Sequence, residues 1–369
     1  MNTVILKEKW KSNKKDMELK ELTARICDLF GCASVDTLPD KIMFALFSQN
    51  PTMYFDKYKE VCPDLTVDWL QRVYQFYHAD RTEKKQDYTP VALAKLVAYL
   101  SYMPGEKVVY DCCCGSGALS IQKWCANPKL KFICEELDEK VLPILLFNLC
   151  IRNIEATIVN RDILSGDIFH SYSTVKGAMY ASVQRPMFPE TELQKADVSV
   201  SNPPFNLKSS VSEDITKDLP LKYTCNFAFV AHCLQRGERC ALILPRGVLT
   251  SKEELECRKY LISKGWLKAA ISLPEKMFES TSVATCILLL DKKNISKEVM
   301  LVNAEKMKSV EVREQRGEGN ASHYNRIYKK EFNTFSDEQI AAICELTTKE
   351  QDSFSKRISQ EELEEHGYN

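Results

Sequence analysis

Asn202-Pro203-Pro204-Phe205 directly follows the strand-like run Asp197-Val198-Ser199-Val200-Ser201 and combines groups suited to one kind of reaction. An exocyclic amino nitrogen on an aromatic base shares its lone pair with the ring, so it attacks poorly until acceptors draw its protons out of conjugation. Asn202 offers a side-chain carbonyl. The Pro203-Pro204 segment offers a rigid backbone carbonyl, because proline fixes φ and has no N–H of its own to pair. Phe205 adds a flat apolar face on which an extruded base could stack. The plainer alternative is a rigid turn closing a strand, with Phe205 in the core. The surrounding elements must decide between the two.

Upstream, Lys107-Val108-Val109-Tyr110-Asp111 has β-type composition. It leads into Cys112-Cys113-Cys114-Gly115-Ser116-Gly117 and then into Ala118 to Trp124, which has helical composition. A strand, a glycine turn and a helix form a nucleotide cradle, in which the backbone can approach a ligand that faces the helix N-terminus. The third small residue of the series Gly115, Gly117, Ser120 is serine, so the dinucleotide fingerprint is incomplete. Glu136 ends the next strand-like run, where an acid can bind ribose hydroxyls, and Glu135 is the competing choice. Asp162, in Asn160-Arg161-Asp162-Ile163-Leu164, is a third acid in a strand-end loop, with a helix-capping aspartate as its alternative reading.

In that order, Tyr88-Thr89-Pro90, Asp111 with Gly115-Ser116-Gly117, Glu136, Asp162 and Asn202-Pro203-Pro204-Phe205 resemble the motifs of S-adenosylmethionine-dependent N6-adenine DNA methyltransferases. The chain is most similar to modification (M) subunits of type I restriction–modification systems. The likeness continues through Asn226 to His232, Ala241 to Leu249, and Leu273 to Phe278 with Thr281, with weaker echoes at Ile358 to Leu363 and Gly367 to Asn369.

The resemblance implies that Gly115, Ser116 and Gly117 shape the methionine-side turn, that Asp111 holds that turn and the cofactor's amino end, and that Tyr88, Thr89 and Pro90 close over the methionine part. It implies further that Glu136 binds the cofactor's ribose, that Asp162 meets its adenine, and that Asn202, Pro203, Pro204 and Phe205 handle the target base, with Asn202 also meeting the cofactor. The implied acceptor is the N6 amino group of an adenine flipped from double-stranded DNA. The implied partners are a specificity (S) subunit and a second M subunit. The triple cysteine departs from the family pattern, as does Asn226, which stands where the family commonly has aspartate.

The charge balance bears on partners. Fifty Lys and Arg against fifty-one Asp and Glu leave a net charge of -1, poor equipment for gripping a polyanion alone. Lys7, Lys9, Lys11, Lys14, Lys15 and Lys20 form a basic arm that reads equally as a solvated terminus. Apolar runs are too short to cross a membrane and the first residues lack a signal-peptide core, so a cytoplasmic protein is expected. Fifteen cysteines without a Cys-x-x-Cys pair read as buried thiols acting as small hydrophobes. His232 reads as a core histidine. No metal ligand set is expected, since a sulfonium methyl is already electrophilic and positioning supplies most of the rate.

The expected fold is α/β: a Rossmann-like methyltransferase sheet, mostly parallel with an antiparallel edge strand, formed by residues 83–291. A helical N-terminal region over 1–82 and a partly helical C-terminal extension over 292–369 flank it. The segments Ala269 to Leu273 and Ala284 to Leu290 are too closely linked for a parallel crossover and should pair antiparallel. Residues 165–195 and 206–224 read as long irregular loops beside the candidate site. RNA amino-methyltransferases, protein glutamine methyltransferases and a non-catalytic cofactor-binding scaffold are the rival functions.

Overall fold

The computed structural model describes residues 19–78, 88–187, 194–213, 225–279, 281–293, 295–316, 327–349 and 351–368. Five of the six lysines of the basic arm, and parts of both long loops, lie outside these residues.

Four helices open the described chain: α1 (Leu19–Phe30), α2 (Leu38–Leu46), α3 (Pro51–Val61) and α4 (Trp69–His78). In α1 the apolar residues Leu22, Ile26 and Phe30 recur at helical spacing and are buried. These helices are not a separate body. The rings of Phe30, Phe55 and Tyr58 close around Phe147 with centroids 5.3, 5.0 and 5.1 Å away, which merges the N-terminal helices with the core.

After α5 (Val91–Leu100) come β1 (Val108–Cys112), α6 (Ala118–Ala126), β2 (Lys131–Glu136), α7 (Leu142–Ile151), β3 (Glu155–Arg161), β4 (Ile168–Val175), β5 (Ser182–Gln184) and β6 (Val198–Ser201). Then follow α8 (Asn226–Arg236), β7 (Arg239–Pro245), α9 (Leu255–Ser263), β8 (Leu267–Ser272), β9 (Thr285–Asp291) and β10 (Glu298–Asn303). One large sheet runs in the order β13-β14-β10-β8-β9-β7-β6-β1-β2-β3-β4-β5, where β13 is Gln351–Asp352 and β14 is Ser355–Ser359. Its centre, β3-β2-β1-β6-β7, is wholly parallel. Helices cover both faces, so successive residues join opposite cores: Val109 and Phe132 pack on one side, Tyr110 and Ile133 on the other.

The antiparallel pair expected from the short connection forms as β8 and β9, with Ala270 opposite Leu288. The sheet continues beyond it through β10, β14 and β13. At the other end, part of the stretch read as irregular is regular: β4 and β5 extend the sheet antiparallel from β3. Tyr172 is buried there and Thr174 Oγ1 donates to the Ile154 carbonyl at 2.8 Å. Serines in β4 masked its strand character, because pairing with β3 outweighs weak local propensity.

The C-terminal extension, expected to be partly helical, contains a helix over Asp337–Leu346. Ser336 and Gln339 form a reciprocal cap at its start. Between β10 and this helix, β11 (Ser309–Arg316) and β12 (Ile327–Thr334) form a separate antiparallel ribbon. Among the described residues no helix is long and apolar enough to cross a membrane.

Candidate functional site

Connections from β1 run outward through β2 to β3, while β6 and β7 lie on the other side of β1. Adjacent strands whose connections leave in opposite directions open a crevice at their carboxyl ends. The register places Cys112 opposite Glu135 and Ser201, so β1, β2 and β6 end together. A cavity of about 230 Å³ lies there.

Nine of the thirteen residues expected to act line this cavity: Tyr88, Thr89, Gly115, Ser116, Glu136, Asp162, Asn202, Pro203 and Pro204. The other four stand behind its wall. Pro90 begins α5 and its carbonyl accepts from Ala94 N at 2.9 Å. Gly117 begins α6 with φ +96°, and a Cβ there would lie 3.0 Å from Leu145. Phe205 is 5% exposed and packs edge-on against Phe278 with centroids 5.6 Å apart, so the expected stacking face is turned into the core.

Asp111 is the fourth. It is fully buried, and its Oδ2 accepts from Ser120 N at 3.1 Å and Ser120 Oγ at 2.6 Å, which caps the first turn of α6 beneath the cradle. Burial pushes its carboxyl up to about 7, against the pull of the Ser120 hydroxyl. The folded state therefore holds a proton that the unfolded chain releases, and stability falls as pH rises from about 4 to about 7. Asp111→Asn keeps an acceptor for Ser120 and removes the titration. Its melting temperature relative to the unsubstituted protein should rise between pH 5 and pH 8, and a difference independent of pH would refute this.

Period-two alternation separates the two candidate acids of β2. Glu136 faces the cavity, where its Oε2 accepts from Gly115 N at 2.8 Å and its Oε1 from Asp138 N at 2.7 Å. Burial holds its carboxyl above the ordinary range, although these amides pull it back. The Asn160 side chain donates to the carbonyls of Glu136 and Leu137 at 2.9 and 3.0 Å and pins the bend that follows.

Glu135 faces the other core, where it accepts from Tyr110 Oη at 2.8 Å and Arg236 Nη2 at 2.8 Å and lies 3.1 Å from His232 Nε2. Burial alone would raise its carboxyl, but His232, Arg236 and Arg161 bring it down to about 2. His232 is thus the core histidine its apolar helix suggested. Arg161, 3.6 Å from Glu135, also reaches the cavity wall.

Asp162 Oδ1 accepts from Leu164 N and Ser165 N at 2.9 and 3.3 Å, which makes the tight turn after β3. Asn202 Nδ2 donates to Thr89 Oγ1 at 3.0 Å. The departure at Asn226 has a local reason. Its Oδ1 accepts from Asn206 N at 3.1 Å and its Nδ2 donates to Glu254 Oε1 at 2.9 Å, so aspartate here would set two carboxylates against each other.

Several contributors escaped the sequence reading. Asn148 donates to Asp68 Oδ1 at 2.9 Å and to the Ser116 carbonyl at 3.0 Å, tying the glycine turn to the N-terminus of α4. Cys113 takes a left-handed φ of 59° and lines the cavity with Cys114, so the unusual cysteines shape the turn itself. Leu137, Ile163, Leu164 and Phe229 supply apolar wall.

A glycine-turn cradle with a strand-end acid, at the switch point of a doubly wound sheet, defines an α/β protein whose cavity has the form of a nucleotide cradle beside the Asn202 loop. The chain belongs to the N-6 DNA methylase family, whose sequence model matches residues 66–369. It is 25% identical to the type I restriction enzyme MpnII methylase subunit of Mycoplasma pneumoniae, over 98% of this chain and 64% of that protein. It is 24% identical to the MjaVIII methylase subunit of Methanocaldococcus jannaschii, over 85% of this chain and 53% of that protein. The chain thus spans about half to two thirds of these relatives' lengths. Its fold is similar to that of a type I restriction–modification methyltransferase subunit from Streptococcus thermophilus, with a TM-score of 0.62 at 22% identity over 95% of this chain and 78% of that one.

Proposed function

We propose that the chain transfers a methyl group from S-adenosylmethionine to the N6 amino group of adenine in DNA, as the modification subunit of a type I restriction–modification complex. The observation that carries this reading is the single cavity that joins the Gly115 turn, Glu136 and Asp162 to Asn202-Pro203-Pro204.

The residues present fit the cofactor. The Tyr88 hydroxyl, in the cavity wall, is buried without a hydrogen-bond partner among the described residues, and a bound polar ligand would supply one. Glu136 would accept from ribose hydroxyls, since each carboxylate oxygen keeps a lone pair beyond the amide it already meets. Asp162 would accept from the adenine amino group, while Leu137, Ile163 and Leu164 flank the base. Asp111 acts from behind the wall by holding α6.

When bound, the cofactor supplies a methyl carbon made electrophilic by its sulfonium. The chain's task is to present the amino nitrogen. The Asn202 side-chain carbonyl and the backbone carbonyl fixed by Pro203 and Pro204 accept its protons, which frees the lone pair. Phe205, packed on Phe278, anchors this loop instead of stacking on the base.

A near-neutral chain gains little from phosphate contacts, which supports a separate sequence-reading subunit as DNA-gripping partner. The test is radiolabelled methyl transfer to DNA, RNA and bulk protein, with and without a candidate specificity subunit. Label in DNA that rises with the subunit supports the reading; label confined to RNA or protein overturns it.

A further inference from the structure

Asn202 precedes a proline, which restricts its backbone to extended conformations but leaves its side-chain torsions free. Its amide acts only if the carbonyl oxygen faces the substrate, because a turn of the amide group presents two N–H donors to a group that must itself donate. Something outside the Asn-Pro-Pro-Phe segment has to set that orientation.

Thr89 is placed to do so. It is 6% exposed, and its Oγ1 accepts from Asn202 Nδ2 at 3.0 Å across 113 residues of sequence. Its backbone carbonyl accepts from Gln71 Nε2 at 3.4 Å, and Gln71 lies in the first turn of α4 with 6% exposure. The backbone N–H of Gln71 is in turn held by Asp68 Oδ1 at 2.9 Å. Asp68 is the same residue that Asn148 ties to the glycine turn. Helix α4 is therefore anchored to both halves of the cavity: through Asp68 to the cradle, and through Gln71 and Thr89 to the amide.

We infer that Thr89 is a positioning residue for the transfer step: it orients the Asn202 amide, and the N-terminal helices set its place through Gln71. This rests on the function proposed above and assigns Thr89 a role beyond covering the cofactor.

The test compares the full chain with Thr89→Val, which keeps shape and loses the hydroxyl, and Thr89→Ser, which restores it. One hydrogen bond corresponds to roughly a tenfold change in the population of the productive orientation. At saturating S-adenosylmethionine, Thr89→Val should lower kcat roughly tenfold, and Thr89→Ser should recover most of the rate. Side-chain amide protons of Asn202, followed by NMR, should exchange faster with solvent in Thr89→Val than in Thr89→Ser.

An unchanged kcat, or a loss confined to cofactor affinity, would overturn the inference. The unsubstituted protein measured alongside separates the two claims. If it methylates RNA or protein instead of DNA, the proposed function falls while the kcat ratio on that acceptor still judges Thr89. If it methylates nothing even with a candidate specificity subunit present, the proposed function falls, and equal Asn202 amide exchange in both variants overturns the positioning role.

Discussion

Asn202→Ala is expected to lower kcat by about 10²-fold or more while leaving S-adenosylmethionine affinity within a few-fold, because the role proposed for its side-chain carbonyl is to accept a proton of the amino group that receives the methyl. Asn202 is on the cavity wall between the cradle and the proline pair, and its amide is held by Thr89 at 3.0 Å. Single-turnover transfer gives the first quantity and calorimetric titration of the cofactor the second. A fall in affinity with kcat retained would make Asn202 a cofactor ligand and remove it from the chemistry. The alanine methyl packs where the amide stood, next to prolines that fix the backbone, so the loop should keep its course.

Glu135→Ala should have the largest effect on stability, about 3–5 kcal/mol, because it strands buried positive charge. Side chains of Glu135 and Arg236 are each 2% exposed, and the Arg236 guanidinium also lies 4.9 Å from the Tyr110 ring. With the carboxylate gone, these donors have no water to turn to. The sign with pH follows from the carboxyl being held near about 2, below its unfolded value of 4.5. Its contribution is fully present above pH 4.5 and is lost as pH falls toward about 2. Thermal unfolding should show a wide gap between the two proteins at pH 7 that narrows in acid. A gap that does not change with pH would mean that lost packing, and not charge, sets the cost.

Much of the site was legible because its chemistry is local. The run from Lys107 through Gly117 to Trp124 encodes a strand, a turn and a helix in adjacent residues, and the structure has β1, the turn and α6 there. Alternation required Glu135 and Glu136 to face opposite ways. Which one met the cavity depended on α8 covering the other face, and His232 and Arg236 on that helix have no sequence link to β2.

The same holds for Asp68, just before α4, and for Asn148 and Gln71 within helices, single polar residues whose partners are set by how the N-terminal helices dock. Phe205 shows the converse. A motif names the residue type, but whether the ring faces a ligand or the core is decided by Phe278, seventy-three positions away. The strands β4 and β5 escaped because an edge strand draws its stability from the neighbour it pairs with. For the domain division we propose 83–291 as the catalytic unit; β10, β14 and β13 extend its sheet, and the N-terminal helices pack on its core around Phe147.

The most direct test of the central claim is the identity of the methylated base. Unmethylated DNA incubated with the full chain, a candidate specificity subunit and labelled S-adenosylmethionine is digested to nucleosides, and the labelled product is identified by mass spectrometry. Label is expected in N6-methyladenine alone, and weaker by about 10²-fold or more with Asn202→Ala. Label in a methylated cytosine, or DNA left unlabelled while RNA or protein takes the methyl group, would contradict it.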